Sequence, residues 1–234
     1  MTGAAGRARL RTLRCAGVDL DEVERRLTPW LGKGVSVRAV PAEGEVLVRL
    51  RAEARALGEL EAALLGALGG DCYGKDRETL EAVVGRLLRD RRLTLSLAES
   101  CTGGLVGHRI TNVPGSSVYF ERGVVVYSYR AKEELLGVPS RLLAAHGAVS
   151  APVAEAMARG IRERSGTHLA LAVTGVAGPD GGTPAKPVGT VFIGLAGDEG
   201  AWSRHFLFSG NRGSIKWQSS QQALDLLRRH LLTR

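Results

Sequence analysis

Leu93-Thr-Leu-Ser-Leu-Ala98 alternates apolar and polar side chains and runs straight into Glu99-Ser100-Cys101-Thr102-Gly103-Gly104, after which Leu105 to Ile110 take up helical spacing. Period-two alternation, a glycine pair and then a helical stripe read as strand, tight turn and helix start. The same switching recurs. Leu80, Val83, Val84, Leu87 and Leu88 form one apolar helix face before it, and strands are expected over 123–129, 169–174, 188–195 and 202–208. Helices are expected near 131–136, 151–165 and 214–232, the second opening at Ser150 with a proline tolerated in its first turn. Helices alternating with strands in this way specify a layered α/β domain.

The 234 residues suggest one large or two small domains, at roughly 100 to 200 residues each. Leu20, Val23, Glu24 and Leu27 keep helical spacing after Asp19, a residue suited to an N-cap, and Pro29 breaks the pattern. A strand pair follows over 35–40 and 46–51, with a turn through Glu43-Gly44-Glu45, and then a helical stripe from Leu57 to Leu65. Residues 66–74 are glycine-rich and read as a linker or as the end of this module. The expected division is therefore 1–72 and 73–234. The front module carries 11 basic and 10 acidic side chains and the rear domain 21 and 14, so the net charge of +8 sits almost wholly in the rear.

A basic excess can mark a nucleic-acid partner, but no Lys/Arg run with interleaved aromatics occurs and aromatics are only 5% of the chain, which argues against one. A small anionic substrate suits the charge equally well. No apolar run approaches the roughly 18 to 20 residues of a membrane span, and the basic start from Arg7 to Arg11 is followed by no apolar export core, so a cytoplasmic protein without a membrane partner is expected. Cys15, Cys72 and Cys101 are odd in number and widely spread, against a disulfide framework or a structural zinc site, and read as reduced thiols. The five histidines show no metal-ligand spacing, and neither a metal nor a cofactor is expected.

Four stretches could carry chemistry. Ser100 at a strand-to-helix turn would present its hydroxyl beside helix-start amides suited to an oxyanion or phosphate, while the plainer reading makes Ser100 or Thr102 a helix cap. The stretch is neither a Walker loop nor a Gly-x-Ser-x-Gly elbow, and Cys101 is an alternative nucleophile. Lys132, one of only 5 lysines against 27 arginines, could act as a base if desolvated, or be an ordinary solvated lysine in the first turn of a surface helix. Tyr127 reads as a strand aromatic. Thr174-Gly175 opens a loop rich in glycine that could approach a ligand or simply lie on the surface. Ser209 to Lys216 supplies Arg212, Lys216 and helix-start amides, enough to hold a phosphate or merely a solvated basic loop.

Ala98-Glu-Ser-Cys-Thr-Gly-Gly104, Val113-Pro-Gly-Ser-Ser117, Tyr127-Ser-x-x-Ala-Lys132, Leu136-Gly-Val138, His146-Gly-Ala-Val-Ser150, Thr174-Gly-Val-Ala-Gly-Pro-Asp-Gly-Gly182 and Pro187-Val-Gly-Thr-Val191 occur in that order. With them, residues from about 75 to 232 resemble the carboxy-terminal domain of the CinA competence/damage-inducible family. Residues 10–72 resemble, more weakly, that family's KH-like middle module. The resemblance implies a three-layer α/β/α domain behind a small α/β module, and nicotinamide mononucleotide (NMN) deamidase activity in pyridine nucleotide salvage. It further implies Ser100 as nucleophile, Lys132 as base and Tyr127 as relay or orienting group, with no metal, and backbone amides after Ser100 holding the oxyanion. Thr102, Gly103, Gly104, Thr174, Gly175, Arg212 and Lys216 would bind substrate, the phosphate falling to Thr174, Arg212 and Lys216. A homodimer is implied as well. The family's molybdopterin-binding-like domain has no counterpart in these residues. Where the family usually has Asn, Asp and Arg, this chain has Tyr129, Asn211 and Lys216, and lysine lacks the bidentate fork that suits phosphate. The alternatives to this reading are a non-catalytic nucleotide-sensing or nucleic-acid-associated module, and a Ser-Lys hydrolase of another amide or ester.

Overall fold

A computed structural model describes residues 8–31 and 35–233; Arg7 of the basic start lies outside them. Contacts divide the chain into two compact units between Val83 and Val84. The first contains strands β1 (Arg9–Cys15), β2 (Ser36–Ala42), β3 (Glu45–Ala52) and β4 (Cys72–Lys75), with helices α1 (Leu20–Leu27) and α2 (Ala54–Leu68). Its sheet runs β2-β3-β1-β4 with every pairing antiparallel. Asp19 caps α1 by accepting the Glu22 N–H at 2.7 Å, and the chain leaves the helix through a short turn containing Pro29. Leu57, Leu60, Leu64 and Leu68 recur along one side of α2 and pack with Leu13, Cys15, Val48 and Leu50 from the sheet. The glycine-rich residues 66–74 are no linker. They finish α2 and supply β4, which pairs with β1.

Helix α3 (Leu80–Asp90) contains the division. The second unit then has β5 (Leu95–Glu99), α4 (Leu105–Thr111), β6 (Phe120–Val125), α5 (Tyr129–Leu136), α6 (Ser140–His146), α7 (Ala151–Ser165), β7 (Leu169–Gly175), β8 (Thr190–Gly197), β9 (Gly200–Leu207) and α8 (Arg212–Leu232). Its sheet order is β6-β5-β7-β8-β9. β5 pairs in parallel with β6 and β7, whereas β8 and β9 are antiparallel additions.

Alternation along the strands sorts the two faces. Ala98, Ala170, Ala172 and Ala196 form a flat surface under Val153, Met157, Ala158 and Ile161 of α7, with Leu136 of α5 and Leu143 of α6 in the same core. Helices α4 and α8 pack on each other and cover the opposite face. The result is an α/β/α sandwich, and the three parallel strands β6, β5 and β7 end side by side at one edge. Among the described residues no helix is long and apolar enough to cross a membrane.

Strand β6 ends at Val125, four residues short of the expected Tyr129, because the apolar run continues into a turn where Val126 is buried without belonging to the sheet. Tyr127 is therefore no strand aromatic; it is 62% exposed.

Candidate functional site

Ser100 follows the last residue of β5. Its N–H donates to Val173 O at 2.9 Å, and the Val126 N–H donates to Glu99 O at 2.8 Å, so the ends of β6, β5 and β7 are tied together around it. The chain then reverses through Gly103 (φ +60°) and Gly104 (φ +93°), left-handed conformations that side chains with a Cβ adopt with strain. The expected helix cap is not a hydroxyl. Glu99 reaches around the turn on the face opposite Ser100 and accepts from the N–H groups of Gly104 (3.0 Å), Val106 (3.1 Å) and Gly107 (2.8 Å). A carboxylate at the positive end of α4 satisfies three donors that the helix itself leaves open. This corrects the expectation that helix-start amides stand unpaired beside Ser100. Thr102 Oγ1 is buried without a hydrogen-bond partner among the described residues.

Lys132 arrives from α5, whose start is capped by Ser128 Oγ accepting from the Ala131 N–H at 3.0 Å. The side chain turns inward rather than to solvent, with 1% of its surface exposed. Its Nζ lies 3.1 Å from Ser100 Oγ and donates to the carbonyl of Val126 at 2.7 Å and that of Tyr127 at 3.5 Å. Burial pushes the Lys132 amine below its ordinary value of 10.5, partly opposed by the nearby Cys101. Cys101 is buried beside Ser100 and Lys132. Burial pushes its thiol up to about 12, so at neutral pH it is protonated and a poor nucleophile.

Ser100, Cys101, Tyr127, Lys132, Thr174, Gly175 and Arg212 line one cavity of about 200 Å³, together with Ala148, Val149 and Ala177. The Tyr127 hydroxyl accepts from Arg212 Nη2 at 2.9 Å, and Arg212 Nη1 donates to Gly178 O at 2.6 Å. The structure thus brings Tyr127 to the lysine through its backbone carbonyl and to the cavity rim through its phenol. Thr174 Oγ1 donates to Ala148 O at 2.9 Å. Gly175 has a packing reason for its identity: a Cβ there would lie 2.6 Å from Val191 Cγ2 and 2.8 Å from Thr190 O. Thr102 and Gly104 do not reach the cavity, the one being fully buried and the other holding Glu99. Lys216 Nζ lies 3.5 Å from where a Cβ on Gly103 would stand, beside the turn rather than in the cavity. Among the described residues no group of three or more His, Cys, Asp or Glu side chains is placed to hold a metal ion.

The profile of the CinA C-terminal domain matches residues 77–231. The chain belongs to the CinA family. A CinA-like protein of Geotalea daltonii is 52% identical over 197 residues, covering 82% of this chain and 48% of the relative. One from Geobacter metallireducens is 47% identical over 240 residues, covering 99% and 58%. The chain spans about half the length of the curated relatives it matches. A crystal structure of a CinA superfamily protein from Klebsiella pneumoniae superimposes with a TM-score of 0.64 at 32% identity, covering 66% of this chain and 97% of that one. A competence/damage inducible protein from Agrobacterium tumefaciens gives 0.62 at 35%, covering 66% and 97%.

Two positions where this CinA-family chain departs from the usual pattern have visible roles. Asn211 caps α8 by accepting the Ser214 N–H at 3.0 Å, a task that Asn and Asp perform about equally well. The Tyr129 hydroxyl accepts the Ala148 N–H at 3.3 Å and so steadies the segment that forms one cavity wall. Sequence reasoning missed that wall. Ala148 and Val149 lie within the His146–Ser150 motif but offer no reactive side chain, and Ala148 contributes through its backbone. Glu99 was also missed, although an acidic residue a few positions before a glycine-marked helix start is a signal for a carboxylate cap.

Proposed function

We propose that this chain is an amidohydrolase that deamidates NMN, with Ser100 as nucleophile and Lys132 as its base. The observation that carries the reading is the 3.1 Å approach of a buried lysine amine to the Ser100 hydroxyl. A neutral amine has two N–H groups and one lone pair. With the N–H groups on the Val126 and Tyr127 carbonyls, the lone pair is left for the Ser100 O–H, which is the orientation proton abstraction requires. Ser100 Oγ then attacks the nicotinamide carboxamide carbon while its proton passes to Lys132. Collapse of the tetrahedral adduct breaks the C–N bond, Lys132 returns the proton to the leaving nitrogen, and ammonia departs. Water, deprotonated by the same amine, cleaves the resulting ester and releases nicotinic acid mononucleotide and free Ser100.

Glu99 already holds the amides of Gly104, Val106 and Gly107, so in this reading the oxyanion falls to donors earlier in the turn. Removing one such donor costs about 3 to 4 kcal/mol in hydrolases of this kind. Arg212 at the cavity rim and Lys216 beside the turn are the cations proposed for the phosphate, with Thr174. Tyr127 is proposed as an orienting group, its carbonyl holding the lysine and its phenol holding Arg212. Cytoplasmic placement and a homodimer belong to the same reading.

The test is to incubate the protein with NMN and follow ammonia and nicotinic acid mononucleotide. Turnover is expected from the wild type and not from Ser100→Ala. Equal turnover by both would remove the proposal. Nicotinamide riboside, which lacks the phosphate, is expected to be a much poorer substrate, and Arg212→Ala should narrow the gap between the two.

A further inference from the structure

The first unit holds two cysteines, far apart in sequence, that the fold sets face to face. Cys15 ends β1 and Cys72 opens β4, and the antiparallel pairing sets them opposite one another just past a β-bulge between Arg14 and Cys15. The Ala16 N–H donates to Asp71 O at 3.0 Å, one position outside the pair on each strand. That bond makes Cys15 and Cys72 a non-hydrogen-bonded pair, the arrangement in which opposed Cα atoms come to about 4.5 Å and side chains are nearest. A disulfide spans Cα separations of about 4.4 to 6.8 Å. Both side chains belong to the same core face, Cys15 fully buried and Cys72 half-buried, and none of the three cysteines is in a disulfide.

We propose that Cys15 and Cys72 are a redox-active dithiol that closes to an intramolecular disulfide when a low-molecular-weight disulfide supplies the oxidising equivalents. Cys72, which solvent reaches, attacks the small disulfide; its S–H proton leaves with the first small thiol and a mixed disulfide remains on Cys72. Cys15 then displaces the second small thiol, which carries away the Cys15 proton. Two protein thiols and one small disulfide become one protein disulfide and two small thiols. The order follows from the environments. A hydrogen bond to Cys72, and then burial, push the Cys15 thiol up, so it is a poor first nucleophile, yet it is already in contact with the sulfur it must attack. Cys101, buried in the second unit, has no such partner cysteine and is the internal control. The proposal is independent of the hydrolase reading.

The experiment treats the full chain with oxidised glutathione at neutral pH, quenches by alkylation in denaturant, and maps peptides without reduction. The expected result is a peptide pair linking Cys15 to Cys72, an intact mass lower by two hydrogens, reversal by dithiothreitol, and Cys101 recovered as the alkylated thiol. Cys15→Ser should stop at the mixed disulfide on Cys72. Recovery of both residues as alkylated thiols, stable glutathione on wild-type Cys72 without the link, or a link only between chains would overturn the proposal. If Cys15→Ser does not fold, the wild-type map decides alone.

Discussion

At the scale of single residues, Lys132 shows how position overrides type. A lysine in the first turn of a short helix is ordinarily solvated, and its sequence context does not say otherwise. The alternating strand and glycine pair make Ser100 legible as a residue at a turn, but its partner comes 32 residues later, beyond β6 in the chain. Strand β6 ends early, the carbonyls of the turn after it hold the lysine amine, and the apolar run through Val126 hides that end in the sequence. Because burial lowers the folded-state pKa of Lys132, the proposed base is active when neutral, and kcat/KM should rise with pH through that depressed value. Lys132→Met should lose roughly 100- to 10,000-fold of activity and the rising limb with it. The same shift has a sign for stability. Between the depressed value and 10.5 the unfolded chain holds the Lys132 proton and the folded chain does not, so the contribution of Lys132 to stability rises with pH across that window. It falls as pH drops through the folded value. Denaturant unfolding over that range should show the stability of the wild type rising relative to that of Lys132→Met as pH increases, the other titrating groups being common to both.

At the scale of the element, α4 depends on a residue from the strand before it. Glu99 holds three amides of the first helical turn, and this fixes how the chain leaves β5 and hence where Ser100 stands. Glu99→Gln retains one acceptor but sets an amide N–H₂ against a backbone N–H. A buried donor left unsatisfied costs about 1 to 3 kcal/mol, so that variant should be less stable by about this amount. Hydrogen exchange at Gly104, Val106 and Gly107 should quicken locally, a signature that a general loss of stability would not confine to these amides. The capping chemistry of α1 was legible because Asp19 stands immediately before its helix. That of α4 was not, because its acceptor lies five residues before the first amide it holds.

At the scale of the whole molecule, the rear sandwich was readable as a succession of periodicities, and the front module only in part. Strand β1 carries Arg at every other position from Arg9 to Arg11 and again at Arg14, so it resembles a basic leader segment, although Leu13 and Cys15 face the core. Two of those arginines find carboxylates: Arg14 pairs with Glu45 at 2.6 Å, and Arg11 with Glu61 at 2.9 Å and with Asp76. Strand β4 is too short to show a period. Helix α6, only about two turns long, is too short to show a helical period. Oxidation of the Cys15–Cys72 pair would join β1 to β4 across the intervening chain. By the loop-entropy relation a closure of that length is worth about 4 kcal/mol, so calorimetry should show the oxidised chain's first unit melting higher than the reduced one's.

The three parallel strands end in adjacent positions, and each contributes something different where it stops. β5 gives the hydroxyl, the segment after β6 leads to the amine, and β7 gives a threonine and the loop that meets Arg212. In the proposed reading, nucleophile, base and substrate contacts thus come from separate stretches of chain. Because the Val126 and Ser100 amides bond those ends to one another, a change of length in one stretch would move the groups that the others carry as well.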